Sequence, residues 1–112
     1  MKIYHNPRCR KSRETLALIQ ENDQEAEIIR YLETPPSREE LKLLLQYLGI
    51  SAAGLVRKGE KLYKEQFKGK EISEEEWLDI LTENPILIER PIVVKGARAI
   101  IGRPPERVLD LL

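Results

Sequence analysis

Apolar residues recur with two different spacings along this chain, and the places where the spacing changes mark its elements. Lys2 to His5 reads as a short strand with Ile3 turned inward, closed by the turn formers Asn6 and Pro7. A helical pattern begins at about Cys9 or Arg10, with Thr15, Leu16 and Ile19 on its apolar face and Asn22-Asp23 at its end. Ala26 to Leu32 is rich in β-formers (Ile28, Ile29 and Tyr31) and predicts a second strand. Pro35-Pro36 breaks the chain. Ser37-Arg38-Glu39-Glu40 then has the spacing of a capping box, and Leu41, Leu44, Leu45 and Leu48 follow at helical intervals until Gly49.

Ser51 can cap a short helical piece running through about Val56. Arg57 to Lys61 reads as a polar loop, and Lys64 to Lys70 is weakly patterned, with room for one turn of helix. Ser73-Glu74-Glu75-Glu76 is a second capping box, ahead of a stripe formed by Trp77, Ile80 and Leu81 and a stop at Asn84-Pro85. Ile92 to Val94 predicts a strand, Gly96 to Arg98 a reversal and Ala99 to Ile101 the return strand. Pro104-Pro105 opens a last helix carrying Val108, Leu109, Leu111 and Leu112. The order is β-α-β, a helical block, then β-β-α. The first pair should be parallel with a right-handed crossover, the last antiparallel. This predicts an α/β fold of thioredoxin- or glutaredoxin-like type. It would be a mixed four-stranded sheet in a single domain spanning residues 1–112, with a helical block inserted at about residues 37–83.

Composition narrows the class. A chain of 112 residues with 41% apolar content suffices for one core. Its 19 basic and 19 acidic side chains balance, so charge gives no reason to expect nucleic acid or an anionic membrane as partner. A single cysteine excludes an internal disulfide and fits a reducing compartment. No signal peptide or membrane-length apolar run is visible, so a soluble cytoplasmic protein is expected.

That cysteine, Cys9, carries the chemistry. It lies in His5-Asn6-Pro7-Arg8-Cys9-Arg10-Lys11-Ser12-Arg13, at the predicted start of a helix and among four cations. Both features favour a thiolate, which is the nucleophilic form of cysteine. The bland reading, a small buried apolar residue, fits poorly with so many neighbouring charges. His5 can pair with the thiolate, shuttle a proton, or simply end the strand. Ser12 can donate its hydroxyl to the sulfur or serve as an ordinary first-turn residue. One Cys and one His fall short of a zinc ligand set, so no metal is expected. With no second cysteine, any turnover at Cys9 needs a thiol from outside. Arg57, Arg90 and Arg103 each sit at a segment end, where they could converge on an oxyanion or remain solvated surface cations. Arg90-Pro91 is an X–Pro bond, the kind in which a cis peptide occurs.

Five segments together resemble the glutaredoxin-linked arsenate reductases and related ArsC-like proteins. They are IYHNPRCRKSRETL at 3–16, YLETPPSREEL at 31–41, LVRKGE at 55–60, NPILIERPIVV at 84–94 and IGRPPERVLDLL at 101–112. The resemblance implies a thioredoxin-like fold with a helical insertion and a cis proline at Pro91. It implies that Cys9 is the nucleophile, that His5 and Ser12 lie near the thiolate, and that Arg57, Arg90 and Arg103 bind the oxyanion. It further implies arsenate or a similar small oxyanion as substrate, glutathione as co-substrate, glutaredoxin as partner and no bound cofactor. Arg10-Lys11 departs from the pattern: the best-known arsenate reductases carry small residues there, and two long cations can narrow or recharge the pocket. Two other functions are compatible with the resemblance. One is an Spx-like regulator that binds RNA polymerase, although Ser12 removes the C-x-x-C switch of its redox-responsive members. The other is a general glutathione-dependent thiol protein.

Overall fold

A computed structural model describes residues 1–112. The chain forms two compact units, residues 1–34 with 90–112, and residues 35–89. The first unit holds a four-stranded sheet: β1 (Lys2–Tyr4), β2 (Glu27–Ile29), β3 (Ile92–Lys95) and β4 (Arg98–Ile101), in the spatial order β2-β1-β3-β4. β1 and β2 are parallel, whereas β1–β3 and β3–β4 are antiparallel. Ile3 lies opposite Val93, and both are fully buried. They form one core with Ile19 of helix α1 (Arg10–Glu21) and with Val108 and Leu111 near the C-terminus. A cross-strand apolar pair of this kind also fixes register, because a slip of one residue would turn both side chains to the other face.

In the first unit, three elements differ from the sequence expectation. The second strand is shorter than residues 26–32: β1 offers three pairing residues, and after Ile29 the chain turns, with Glu33 N and Thr34 N both donating to Arg30 O. Tyr31 is buried from this turn rather than from a strand. The C-terminal piece, Pro105–Asp110, is a 3-10 helix. Its buried residues Pro105, Val108 and Leu111 recur every third position, which suits three residues per turn and leaves Leu109 exposed. The β3–β4 reversal is tighter than expected, with Lys95 paired to Arg98 and Gly96 in the left-handed region at φ 62°.

The second unit is helical: α2 (Arg38–Leu48), a 3-10 turn at Ala52–Leu55, α3 (Lys61–Gln66), α4 (Glu74–Glu83) and a 3-10 turn at Pro85–Leu87. Ser37 Oγ accepts from Glu40 N, and Gly49 ends α2 in the left-handed region at φ 71°. At α4 the capping box is complete, since Ser73 Oγ accepts from Glu76 N and the Glu76 carboxylate accepts from Ser73 N. The α3 helix begins in what read as a polar loop. Tyr63 and Phe67, four residues apart, both pack on Trp77, with ring centroids at 6.4 and 5.7 Å, so helical winding brings two aromatics onto one partner. The buried stripe of α4 is Trp77, Leu78 and Leu81, with Ile80 half-buried. Both oxygens of Glu74 accept from Ala52 N, each at 3.0 Å, tying the first 3-10 turn to α4.

Burial makes a direct stability prediction for this unit. Leu81 is 0% exposed and Leu43, on the outer face of α2, is 45% exposed. Leu81→Ala should cost about 2–5 kcal/mol by urea unfolding, and Leu43→Ala well under about 1 kcal/mol. Equal losses would contradict the packing described.

Candidate active site

The loop between β1 and α1 is built by its own hydrogen bonds. Cys9 N donates to Asn6 O at 3.0 Å, Arg8 N donates to Asn6 Oδ1 at 3.0 Å, and the Arg13 guanidinium donates to Pro7 O at 3.0 Å. This closed turn delivers Cys9 to the N-cap position of α1 in an extended conformation, with its own carbonyl accepting from Arg13 N. The sulfur therefore sits at the positive end of a twelve-residue helix.

Cys9 is only 8% exposed. Burial by itself raises its pKa, but opposing groups outweigh it. The Ser12 backbone N–H, a hydrogen bond from the Arg90 side chain, and the charges of Arg90 and Arg103 bring the thiol below its ordinary value. Arg103 Nη2 lies 3.5 Å from Cys9 Sγ. The same guanidinium donates from Nε to Arg90 O at 2.8 Å, so the backbone of one arginine aims the side chain of the other. The Arg90–Pro91 peptide bond is cis, and so is Arg103–Pro104, which the sequence reading had not singled out. Gly102 N donates to Pro91 O at 2.9 Å and links the two segments.

The charges that act on the sulfur are thus remote in sequence. Two of the neighbouring cations expected to ring Cys9 are engaged elsewhere: Arg10 is paired with Glu14 at 2.8 Å along the helix surface, and Arg13 caps the Pro7 carbonyl. Arg10 and Lys11 are both exposed.

His5 and Ser12 are both buried, and His5 Nδ1 lies 2.6 Å from Ser12 Oγ. That hydroxyl also accepts from Asn6 N at 3.1 Å. Ser12 acts on Cys9 through its backbone N–H, while its hydroxyl serves the loop and His5. Burial first, then the charges of Arg30 and Arg13, lower the His5 pKa, so the ring is neutral near neutrality. Arg57 belongs to the other unit, where its N–H donates to Leu87 O at 2.7 Å and its Nε pairs with Glu60 at 3.2 Å. Thr15 went unremarked as a site-supporting residue. Fully buried on α1, it donates to Lys11 O at 2.8 Å and lies 3.5 Å from Gly102 O, just before Arg103. A polar residue on the apolar face of a helix was the available signal.

A cysteine at a helix N-terminus, beside a cis proline that heads an antiparallel strand, defines a thioredoxin-like thiol protein. The ArsC family model matches residues 4–111, and the chain belongs to the ArsC family. It is 52% identical over 114 residues to the uncharacterized protein YfgD of Escherichia coli strain K12, covering 100% of this chain and 96% of that one. An arsenate reductase of Neisseria meningitidis is 42% identical over 114 residues, covering 100% of this chain and 97% of the other. Among solved structures, an arsenate reductase from Vibrio cholerae superposes with a TM-score of 0.95 at 50% identity, covering 99% of this chain and 96% of that one. No helix is long and apolar enough to cross a membrane.

Two outcomes test this geometry. Iodoacetamide alkylation of native protein across pH should show Cys9 reacting below the pH of an ordinary thiol. Arg103→Ala should move that midpoint up by about one unit, the scale of one close charge; an unmoved midpoint would remove Arg103 from the site. The second concerns His5. Above its ordinary pKa of 6.5 it is neutral in both folded and unfolded chains, and below 6.5 the unfolded chain takes up the proton first. Stability should therefore fall as pH drops through 6.5, and His5→Gln should flatten that fall in urea unfolding. Parallel curves would contradict it.

Proposed function

We propose that this protein is an arsenate reductase whose nucleophile is Cys9 and whose electrons come from glutathione and glutaredoxin. The observation that carries this reading is the contact between the lone cysteine and Arg103, in a chain similar to arsenate reductases over its full length. In this reading Arg90 and Arg103 have two successive tasks. They hold the thiolate, and then they hold the oxygens of a tetrahedral anion as negative charge moves onto them. The assignment of Arg57 as a third anion-binding arginine rests on its LVRKGE segment.

Cys9 thiolate attacks arsenic(V), forming a sulfur–arsenic bond while one arsenate oxygen leaves as water after protonation. The glutathione thiol displaces a second oxygen, again as water. A glutaredoxin thiolate then attacks the glutathione sulfur: the sulfur–arsenic bond breaks, its electron pair reduces arsenic(V) to arsenic(III), and a glutaredoxin–glutathione disulfide forms. Water releases arsenite and restores Cys9. A chain with one cysteine cannot complete the redox step alone, which supports an external thiol pair. Soluble cytoplasmic placement goes with such partners.

Arsenate-dependent NADPH oxidation tests the reading, with glutathione, glutathione reductase and glutaredoxin present. Wild type should turn over, Cys9→Ser should fall at least about a thousandfold, as for loss of a covalent nucleophile, and thioredoxin with its reductase should not replace the glutathione system. Turnover with thioredoxin alone would overturn the reductant. Absent turnover together with capture of purified RNA polymerase would replace the enzyme reading with the regulatory one.

A further inference from the structure

The site described accounts for one substrate, yet the chemistry needs a second, an external thiol. Arg90 and Arg103 reach Cys9 from the β3 side of the sheet. On the opposite flank of β1, toward β2, the same loop borders a groove of about 240 Å³. One wall is the loop itself, His5 to Arg8, and the other is Arg30, Leu32 and Glu33, from the turn that ends β2. All three residues of the second wall, Arg30, Leu32 and Glu33, are solvent-exposed, so the groove is open to an approaching ligand.

We propose that this groove seats glutathione, with Arg8 and Arg30 receiving its two carboxylates and Glu33 its ammonium. The inference rests on the arsenate-reductase reading for its choice of thiol. The charge pattern supports it independently. The groove carries two guanidiniums and one carboxylate; glutathione carries two carboxylates and one ammonium. Arg30 Nη1 and Glu33 Oε1 lie 4.0 Å apart, a long and exposed pair that a ligand's own charges can replace. Guanidinium forks match carboxylates two bonds at a time. Pro7 and Leu32 supply apolar wall against the ligand's methylene groups. His5, buried in the groove beside Asn6, is held below its usual pKa in part by the Arg30 charge, so the guanidinium field reaches across the cleft.

The groove and the nucleophile also share a loop. Arg8 of the wall precedes Cys9 directly, and the turn closed by Cys9 N to Asn6 O keeps wall and nucleophile on one rigid loop. An extended tripeptide spans about 10 Å; in the proposed pose its termini rest in the groove and its sulfur is directed toward Cys9. The two substrates would then meet the sulfur from opposite flanks of β1, the oxyanion from β3 and the thiol from β2, without competing for the same arginines.

The test uses S-methylglutathione, which binds without reacting, titrated into the full-length protein and followed by backbone amide NMR. Shifts should map to residues 5–8 and 30–33. Arg30→Ala, at an exposed position, should weaken binding about fivefold, typical of one solvent-facing charged contact. S-methylglutathione diethyl ester should bind wild type comparably weakly. In turnover, Arg30→Ala should raise KM for glutathione rather than KM for arsenate. Shifts confined to residues 90–103, or unchanged affinity in Arg30→Ala, would overturn the proposal. Groove binding without arsenate turnover would uphold the subsite and overturn the arsenate reading, whereas turnover without groove binding would do the reverse.

Discussion

The structure turns on the balance at one buried sulfur. Burying Cys9 opposes its ionisation, and a thiol left to that tendency would be inert. Fixed donors reverse the balance: a first-turn N–H from Ser12, the Arg90 side chain, and the Arg103 guanidinium at 3.5 Å. Two of these are held in place by bonds of their own. Ser12 is locked by His5 and Asn6, and Arg103 by the Arg90 carbonyl. Preorganisation of this kind is what makes charge stabilisation useful in catalysis, because no reorganisation is needed as the reaction proceeds.

The sheet is what brings these donors together. β1 carries the Cys9 loop at its C-terminal end, and β3 runs antiparallel beside it. The start of β3 therefore lies next to the end of β1, and Arg90-Pro91 arrives beside Cys9 although some eighty residues separate them in sequence. β4 returns alongside β3 and delivers Gly102 and Arg103 to the same end. The Ile3–Val93 pair and the Ile19, Val108 and Leu111 packing behind it set the register. The core thus determines where the guanidiniums fall.

Much of this could be read from the chain. Two capping boxes, the Pro35-Pro36 break and the Ile92–Val94 run marked elements correctly because their signals are local. Signals that depend on tertiary partners were harder. The Lys61–Gln66 helix is held by Tyr63 and Phe67 meeting Trp77, a contact made across ten or more residues. The C-terminal 3-10 winding follows from burial at every third position, which a count of leucines does not reveal. At the site, the cations adjacent to Cys9 in sequence are not the ones that act on its sulfur. Arg10 and Arg13 are spent on Glu14 and Pro7, and the effective charges come from Arg90 and Arg103. The ArsC resemblance pointed to those two arginines because it carries information about spatial neighbours that spacing along one chain does not.

The most direct measurement is a pH titration of thiolate ultraviolet absorbance in the wild-type protein, native and then unfolded in urea, with its lone cysteine as the only thiol. The account predicts a native midpoint lower than the unfolded one. A native midpoint equal to or higher than the unfolded value would mean that burial prevails over the donors, and the assignment of Cys9 as a nucleophile would fail.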